Sequence, residues 1–291
     1  MSAARFKYLR PEDVRKLRSF EFAPRALVED YLAGRHRSRV SGPSTEFRDY
    51  RQYVPGDDPR AVDWRVYART DRHYLRTYEQ ETATQCHIFL DSSASMGFGR
   101  AMSKLDYASF FAAGLCYLVT RGGDRVSLAL FDTGVRAFFP PGKTAGHMQN
   151  LMHALERNAP GSRTALAEAL RRTLPLLHRR GVVVVISDFF DDPAAIFDAF
   201  SPYVHRGFTL FLFHVLAPEE LDLEDRGLVA FLDLETGQRV TAHTDTLRAA
   251  YRAAMDTHIR NLRDLARRRR IDYTVARTDT PYVSLFDRFE R

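Results

Sequence analysis

From residue 84 onward, apolar runs of strand length alternate with amphipathic segments of helix length. A helical segment at 101–121 separates the first two runs, and another at 245–270 precedes the last one. This alternation predicts a doubly wound α/β domain with a mostly parallel sheet, because each helix crosses back over a sheet face. The strand candidates are QCHIFL, RVSLALF, VRAFF, GVVVVIS, FTLFLFHVL and IDYTVAR.

Residues 1–84 differ from the remainder in being charge-dense and irregular. Two short helices are expected there, over 11–19 and 24–34, followed by a stretch interrupted by proline and glycine. Such a segment is too poor in apolar periodicity to build its own core. We therefore expect it to pack on the main domain at 85–291, which carries a hairpin insertion near 228–243.

Composition excludes several classes of function. No apolar run approaches the roughly 20 residues of a membrane-spanning helix, and the N-terminus lacks the apolar stretch of a signal peptide. These features predict a cytoplasmic protein without a membrane span. The net charge of +6 comes mainly from arginine. Its densest run, Arg267–Arg270, ends a helix and has no interleaved aromatic residues, so no nucleic-acid partner is expected.

Oxygen-bearing side chains follow two strands that a doubly wound sheet places side by side. Asp91 follows the first strand of the domain, and Asp188 follows GVVVVIS. A third loop, PGSRTAL, contributes a threonine. Ligands of such sheets bind beyond the carboxyl ends of the strands, where strand order reverses. We therefore expect convergence there of Asp91, Ser93, Ser95, Thr164 and Asp188.

Two carboxylates and three hydroxyls suit a hard divalent cation. Oxygen ligands select Mg²⁺, Mn²⁺ or Ca²⁺ over zinc or copper, and Mg²⁺ commonly takes only one or two carboxylates. So small a set leaves a coordination position for another ligand. Helix capping by Ser93 or Ser95 is the alternative, but it accounts for only one or two of the five residues. The sequence thus favours Mg²⁺, with Mn²⁺ and Ca²⁺ as alternatives.

The same residues resemble a known metal site. D-S-S-A-S at 91–95 is similar to the D-x-S-x-S of von Willebrand factor A domains. Thr164 and Asp188 match the threonine and second aspartate of the metal-ion-dependent adhesion site (MIDAS) in that family. The resemblance implies a von Willebrand factor A fold of Rossmann-like type, with a partner's carboxylate completing the coordination of the metal.

Nearly the whole chain resembles the bacterial family called domain of unknown function 58. The similarity is carried by the stretch from GRHRSRV to VYART, by YEQET, by DLETG at 233–237 and by RTDTP at 277–281. It implies a protein working beside a MoxR-type AAA+ ATPase, as an adaptor or co-chaperone without catalysis of its own. The partner would be that ATPase, its client, or both, engaged through an acidic residue.

An enzyme is the alternative reading. Ser95, Asp188 and His214 follow the nucleophile, acid, base order of α/β-hydrolases, and S-A-S-M-G loosely resembles their G-x-S-x-G elbow. Ser93 replaces the first glycine of that elbow, however, and no HGGG-type oxyanion loop is present. His214 lies inside the apolar run FLFHVL, where a core histidine is expected. We therefore expect no enzymatic activity and keep a serine hydrolase as the alternative.

Overall fold

The computed structural model describes residues 6–23, 46–53, 62–79, 84–223 and 227–289. The chain divides into two compact units. One consists of residues 1–33 and 84–291, and the other of residues 34–83. The helix expected over 24–34 lies outside the described residues, whereas the one expected over 11–19 is present as Pro11–Leu17. Packing of residues 34–83 on the main domain stays a prediction.

Ten strands and eight α-helices occur within the described ranges. The strands are β1 (Glu46–Gln52), β2 (Tyr74–Glu79), β3 (Gln85–Asp91), β4 (Arg125–Phe131), β5 (Val135–Gly142), β6 (Val182–Ser187), β7 (Thr209–Leu216), β8 (Leu228–Leu232), β9 (Arg239–His243) and β10 (Asp272–Arg277). The helices are α1 (Pro11–Leu17), α2 (Trp64–Thr70), α3 (Lys104–Arg121), α4 (Ala145–Arg157), α5 (Leu166–Thr173), α6 (Pro193–His205), α7 (Pro218–Leu221) and α8 (Thr244–Arg268).

The described part of residues 34–83 contains a small antiparallel sheet and a helix. β1 pairs with β2, with an irregularity between Phe47 and Asp49. α2 begins after Asp63, whose carboxylate accepts a hydrogen bond from the backbone N–H of Arg65 at 2.9 Å. This cap satisfies one of the N–H groups that a helix start leaves without a partner, and so fixes the beginning of α2.

Six strands form the central sheet of the larger unit. Their spatial order is β10-β7-β6-β3-β4-β5. All neighbours run parallel except β5, which is antiparallel to β4. If these six strands are numbered 1 to 6 along the chain, starting at β3, their order across the sheet is 3-2-1-4-5-6, as in doubly wound folds. The strand order reverses between β3 and β6. The predicted α/β fold class and the predicted pairing of the first strand with GVVVVIS are confirmed.

Side chains of β3 alternate between two cores because successive residues of a strand face opposite sides of the sheet. Ile88 and Leu90 pack in the core that includes α3. Phe89 packs in the other core, with residues of α5, α6 and α8. The two free cysteines, Cys86 and Cys116, are both fully buried in the α3 core. Helices thus cover both faces, and only the strand ends are left to build a site.

α3 is the most deeply buried helix of the larger unit. It is contacted by a segment near each end of the chain, α1 and a 3-10 helix. Leu17 of α1 is fully buried in the α3 core. Its backbone carbonyl accepts a hydrogen bond from Arg121 at 3.1 Å. A 3-10 helix at Tyr282–Arg288 covers the same core with Phe286, which is fully buried. Elsewhere, β8 and β9 form an antiparallel hairpin that is separate from the central sheet.

Candidate functional site

The site lies where β3 and β6 end side by side. Asp91 is the last residue of β3, and Asp188 directly follows the last residue of β6. These strands are parallel, with Leu90 opposite Ile186, so both carboxyl ends reach the same edge of the sheet. The structure brings together the five residues that the sequence singled out, which are Asp91, Ser93, Ser95, Thr164 and Asp188.

Asp91 is the centre of this cluster and is fully buried. Its Oδ2 accepts hydrogen bonds from Thr164 Oγ1 at 3.0 Å and from Ser187 Oγ at 2.6 Å. Its Oδ1 accepts one from the backbone N–H of Ser93 at 2.8 Å. The carboxylate therefore joins all three loops. Ser187 was not recognised in the sequence, because it reads as the final residue of an apolar strand.

Backbone hydrogen bonds tie the first loop to the one that carries Thr164. The N–H of Ala94 donates to the carbonyl of Ser162 at 2.8 Å, and the N–H of Gly161 donates to the carbonyl of Ser92 at 2.6 Å. A Cβ at Gly161 would lie 2.4 Å from Asp132 Oδ2. A larger residue at this position would require the Asp132 side chain to move, whereas the two backbone hydrogen bonds hold the loops together.

The two aspartates repel each other in the metal-free protein. Burial, together with the negative charge of Asp188, raises the pKa of Asp91 to about 7. One pKa unit corresponds to about 1.4 kcal/mol between the two protonation states, so ionising Asp91 here is costly. A cation placed among these oxygens would remove that cost.

A buried lysine accompanies Asp188. Lys104 Nζ donates to Asp188 Oδ2 at 2.7 Å and to Glu220 Oε1 at 2.6 Å, and the Lys104 and Asp188 side chains are fully buried. Although burial favours the neutral acid, the Lys104 ammonium holds the pKa of Asp188 below its ordinary value. The other carboxylate oxygen, Asp188 Oδ1, is buried and has no hydrogen-bond partner among the described residues.

Ser95 lies near the Asp188 carboxylate. Its hydroxyl is near enough to the Asp188 carboxylate to lower the pKa of that group. The hydrogen bond that the Ser95 hydroxyl makes, however, joins Ser95 Oγ to Ser93 Oγ at 3.1 Å. Buried polar atoms normally find partners. The unpaired Asp188 Oδ1 is therefore available to a ligand at this edge of the sheet.

The buried charges fit a divalent cation. When ionised, Asp91, Asp188 and Glu220 carry three negative charges, and Lys104 offsets one of them, which leaves the charge that a divalent ion would neutralise. Within the described residues, no group of three or more His, Cys, Asp or Glu side chains is arranged to hold a metal ion. A cation would therefore depend on hydroxyl oxygens as well as carboxylates, which suits Mg²⁺ or Mn²⁺.

The residues of the hydrolase alternative do not form a triad. Ser95 Oγ bonds to Ser93 Oγ, whereas His214 Nδ1 pairs with the hydroxyl of Tyr273 at 2.6 Å. Burial lowers the pKa of His214 to about 3, which makes its imidazole a weak base at neutral pH. The order of Ser95, Asp188 and His214 along the chain therefore does not correspond to a nucleophile and its base.

Comparison with known proteins identifies relatives of the chain. It is 32% identical over 232 residues to an uncharacterized protein of Mycobacterium tuberculosis strain H37Rv, which covers 78% of this chain and 72% of that protein. A solved structure described as BatB from Bacteroides thetaiotaomicron is 15% identical with a TM-score of 0.49, covering 72% of this chain and 98% of that chain. A von Willebrand factor type A protein from Catenulispora acidiphila is 14% identical with a TM-score of 0.39, covering 74% and 42%.

The expectation of a cytoplasmic protein is corrected by a further structural neighbour. An aerotolerance-related membrane protein from Bacteroides fragilis is 19% identical with a TM-score of 0.49, and covers 72% of this chain and 97% of that chain. The part of the chain that the structure describes has no helix with the length and apolarity needed to cross a bilayer. A domain beside a membrane needs no apolar run of its own, so composition does not assign a compartment.

The family assignment rests on most of the chain. The family described as "Protein of unknown function DUF58" matches residues 49–261, which include the strands of the site, its three loops and the hairpin of β8 and β9. The resemblance inferred from the sequence is thereby confirmed. This chain belongs to the DUF58 family.

Proposed function

We propose that the protein is a metal-dependent protein-binding module in which Asp91, Ser93, Ser95, Thr164 and Asp188 hold Mg²⁺. An acidic side chain of a partner completes the coordination, and the module has no catalysis of its own. The observation that carries the proposal is a buried oxygen, Asp188 Oδ1, that has no hydrogen-bond partner among the described residues and belongs to a cluster of hard oxygens at the switch point of the sheet.

The residues of this chain have separate tasks in such a site. Thr164 and Ser187 hold the Asp91 carboxylate in one orientation. Lys104 holds one oxygen of Asp188 and leaves the other without a hydrogen-bond partner among the described residues. The bound cation supplies the positive charge that attracts an external carboxylate, and such charge-assisted contacts provide selectivity as well as affinity.

The partner that we propose is a MoxR-type AAA+ ATPase, with this protein acting as its adaptor or co-chaperone. Membership of the DUF58 family supports the choice, since the resemblance of the sequence to that family implies such an association. The fold supports an interaction module, because the site lies at a strand-end edge where ligands of doubly wound sheets bind.

Loss of metal binding in Asp91→Ala is the first expected result. Calorimetric titration of Mg²⁺ or Mn²⁺ into chelator-treated protein should give a binding heat that disappears in this variant, because Asp91 carries one of the two carboxylates of the set. Asp198→Ala is the matched control, since Asp198 lies on α6 with 75% of its side chain exposed, and its titration should equal that of the wild type. Equal heats for Asp91→Ala and the wild type would contradict the metal site.

Binding of the ATPase is expected to depend on the metal. Purified, nucleotide-free MoxR-type ATPase from the same bacterium should be retained by the immobilised wild-type protein in Mg²⁺ and released by a chelator. Removal of the cation leaves Asp91 and Asp188 facing the acid of the partner, so attraction becomes repulsion. Asp91→Ala should bind weakly in both buffers. Retention that is insensitive to the chelator would show that the ATPase docks elsewhere.

A further inference from the structure

The loop between β8 and β9 is built to hold one glutamate in place. Asp233 Oδ1 accepts hydrogen bonds from the N–H groups of Glu235 at 2.8 Å and Thr236 at 3.1 Å. The N–H of Gly237 donates to the carbonyl of Asp233 at 2.8 Å, and Gly237 has a φ of +71°, which only glycine adopts readily. The backbone at Glu235 is therefore fixed by its own turn.

The side chain of Glu235 reaches the candidate metal site. Its Oε1 accepts a hydrogen bond from the backbone N–H of Thr164 at 3.4 Å. The hydroxyl of Ser95 also lies near the Glu235 carboxylate. Both contacts are made to residues of the proposed metal set, although the hairpin lies about 70 residues further along the chain.

This placement is electrostatically unfavourable without a cation. Glu235 is half-buried, and the residue that it contacts, Thr164, also donates to the Asp91 carboxylate. A rigid turn thus directs a third acid towards a site that already contains Asp91 and Asp188. A positive charge among the three carboxylates would turn this repulsion into attraction.

We infer that Glu235 becomes an intramolecular ligand of the site when a cation binds, moving from its place beside Thr164 into the position that a partner's carboxylate takes. The inference rests on the proposed metal site and adds a way in which the binding of a partner to that site is regulated. The hairpin keeps the site closed with the chain's own acid, so a partner must displace Glu235 before it binds. Only acids that compete well with a tethered carboxylate would be selected.

The attachment of the hairpin is compatible with displacement. β8 and β9 pair with each other and with no other described strand. Leu228, Leu232 and Val240 are 66%, 50% and 61% exposed, so the hairpin buries little apolar surface. A groove of about 290 Å³ runs between the hairpin and residues that include Phe98. Segments with so few buried contacts open at low free-energy cost.

The test uses Mn²⁺ as the probe and the full chain. Glu235→Gln keeps the size of the side chain and removes its charge. We expect the Mn²⁺ dissociation constant to rise by about tenfold or more, as when other supports of a metal site are removed. Water-proton relaxation should increase, because water replaces the carboxylate on Mn²⁺. Added acetate should then lower the relaxation in Glu235→Gln and have little effect in the wild type.

The matched control is Glu168→Gln. Glu168 lies on α5, where its exposed side chain pairs with Arg172, so the variant changes the net charge equally without touching the site. Its Mn²⁺ affinity, its water-proton relaxation and its response to acetate should all equal those of the wild type. Asp233→Ala, which removes the acceptor that holds the turn, should shift Mn²⁺ affinity and acetate sensitivity in the direction of Glu235→Gln.

The outcomes separate the two proposals. If the wild type binds Mn²⁺ and Glu235→Gln shows the same affinity, relaxation and acetate response, Glu235 is not a ligand, and the metal site stands without it. If the wild type and Asp91→Ala both fail to bind Mn²⁺, the metal site itself is refuted and the inference falls with it. Weaker Mn²⁺ binding together with new acetate sensitivity in Glu235→Gln supports the inference.

Discussion

Replacement of Lys104 by methionine is expected to lower the free energy of unfolding of the metal-free protein by about 3–5 kcal/mol, the usual cost of breaking a buried ion pair. Methionine retains the length of the side chain but leaves Asp188 and Glu220 facing each other without the ammonium. Urea denaturation in the presence of a chelator measures the loss. Mg²⁺ should restore more stability to Lys104→Met than to the wild type, because the variant site is more negative.

Two comparisons isolate the role of the buried charge. Lys7→Met removes an exposed lysine that pairs with Asp106, and should cost less than about 1 kcal/mol. The double variant Lys104→Met/Asp188→Asn removes both charges of the buried pair and should be more stable than Lys104→Met alone. A loss in Lys104→Met no larger than that in Lys7→Met would show that Lys104 does not neutralise the site.

The position of the site could be predicted because it follows from strand order. Apolar runs identify the strands, and a doubly wound sheet places the end of β3 beside the end of β6. The residues at these two strand ends are therefore neighbours in any chain with this topology, and here they are Asp91 and Asp188. Ser93 and Ser95 follow in the same loop as Asp91, the third loop contributes Thr164, and the von Willebrand motif matches the whole set.

Lys104 was not predicted, because its contacts depend on the rotation of α3 and on the position of α7. It lies 84 residues from Asp188 and 116 from Glu220 in the sequence, and no local pattern encodes either distance. A signal was nevertheless present. Lys104 is one of only four lysines in the chain, and it begins a helix, where a positive charge opposes the helix dipole.

The hydrolase alternative shows the opposite error, in which order along the chain suggests a contact that is not made. His214 lies in β7, opposite Ser187 of β6. That register brings its ring close to Asp188, but its Nδ1 pairs with the hydroxyl of Tyr273. The pairing partner comes from β10, the last strand along the chain and an edge strand of the sheet, so the sequence around His214 gives no indication of it.

Phe286→Ala is expected to lower the free energy of unfolding by about 3–5 kcal/mol, the usual cost of removing a buried phenylalanine. Its ring is fully buried and lies 5.0 Å from the ring of Phe111, centroid to centroid, and 5.9 Å from that of Phe20. The residue therefore joins the C-terminal 3-10 helix to α3 and to the segment after α1. Thermal or urea unfolding of the full chain measures the loss, and Phe190→Ala, at a 44% exposed position, should cost far less.

Gly114 of α3 provides a second check on the same contact. A Cβ at this position would lie 2.8 Å from Phe286 Cζ, so Gly114→Ala should destabilise the wild type through overpacking, by about 1–3 kcal/mol. In Phe286→Ala the ring is absent, and the methyl group enters the cavity while alanine favours the helix by about 1 kcal/mol over glycine. The sign of the Gly114→Ala effect should therefore reverse between the two backgrounds. Equal effects in both would mean that the ring of Phe286 does not rest on α3, and that the helix carrying Lys104 is positioned by other contacts.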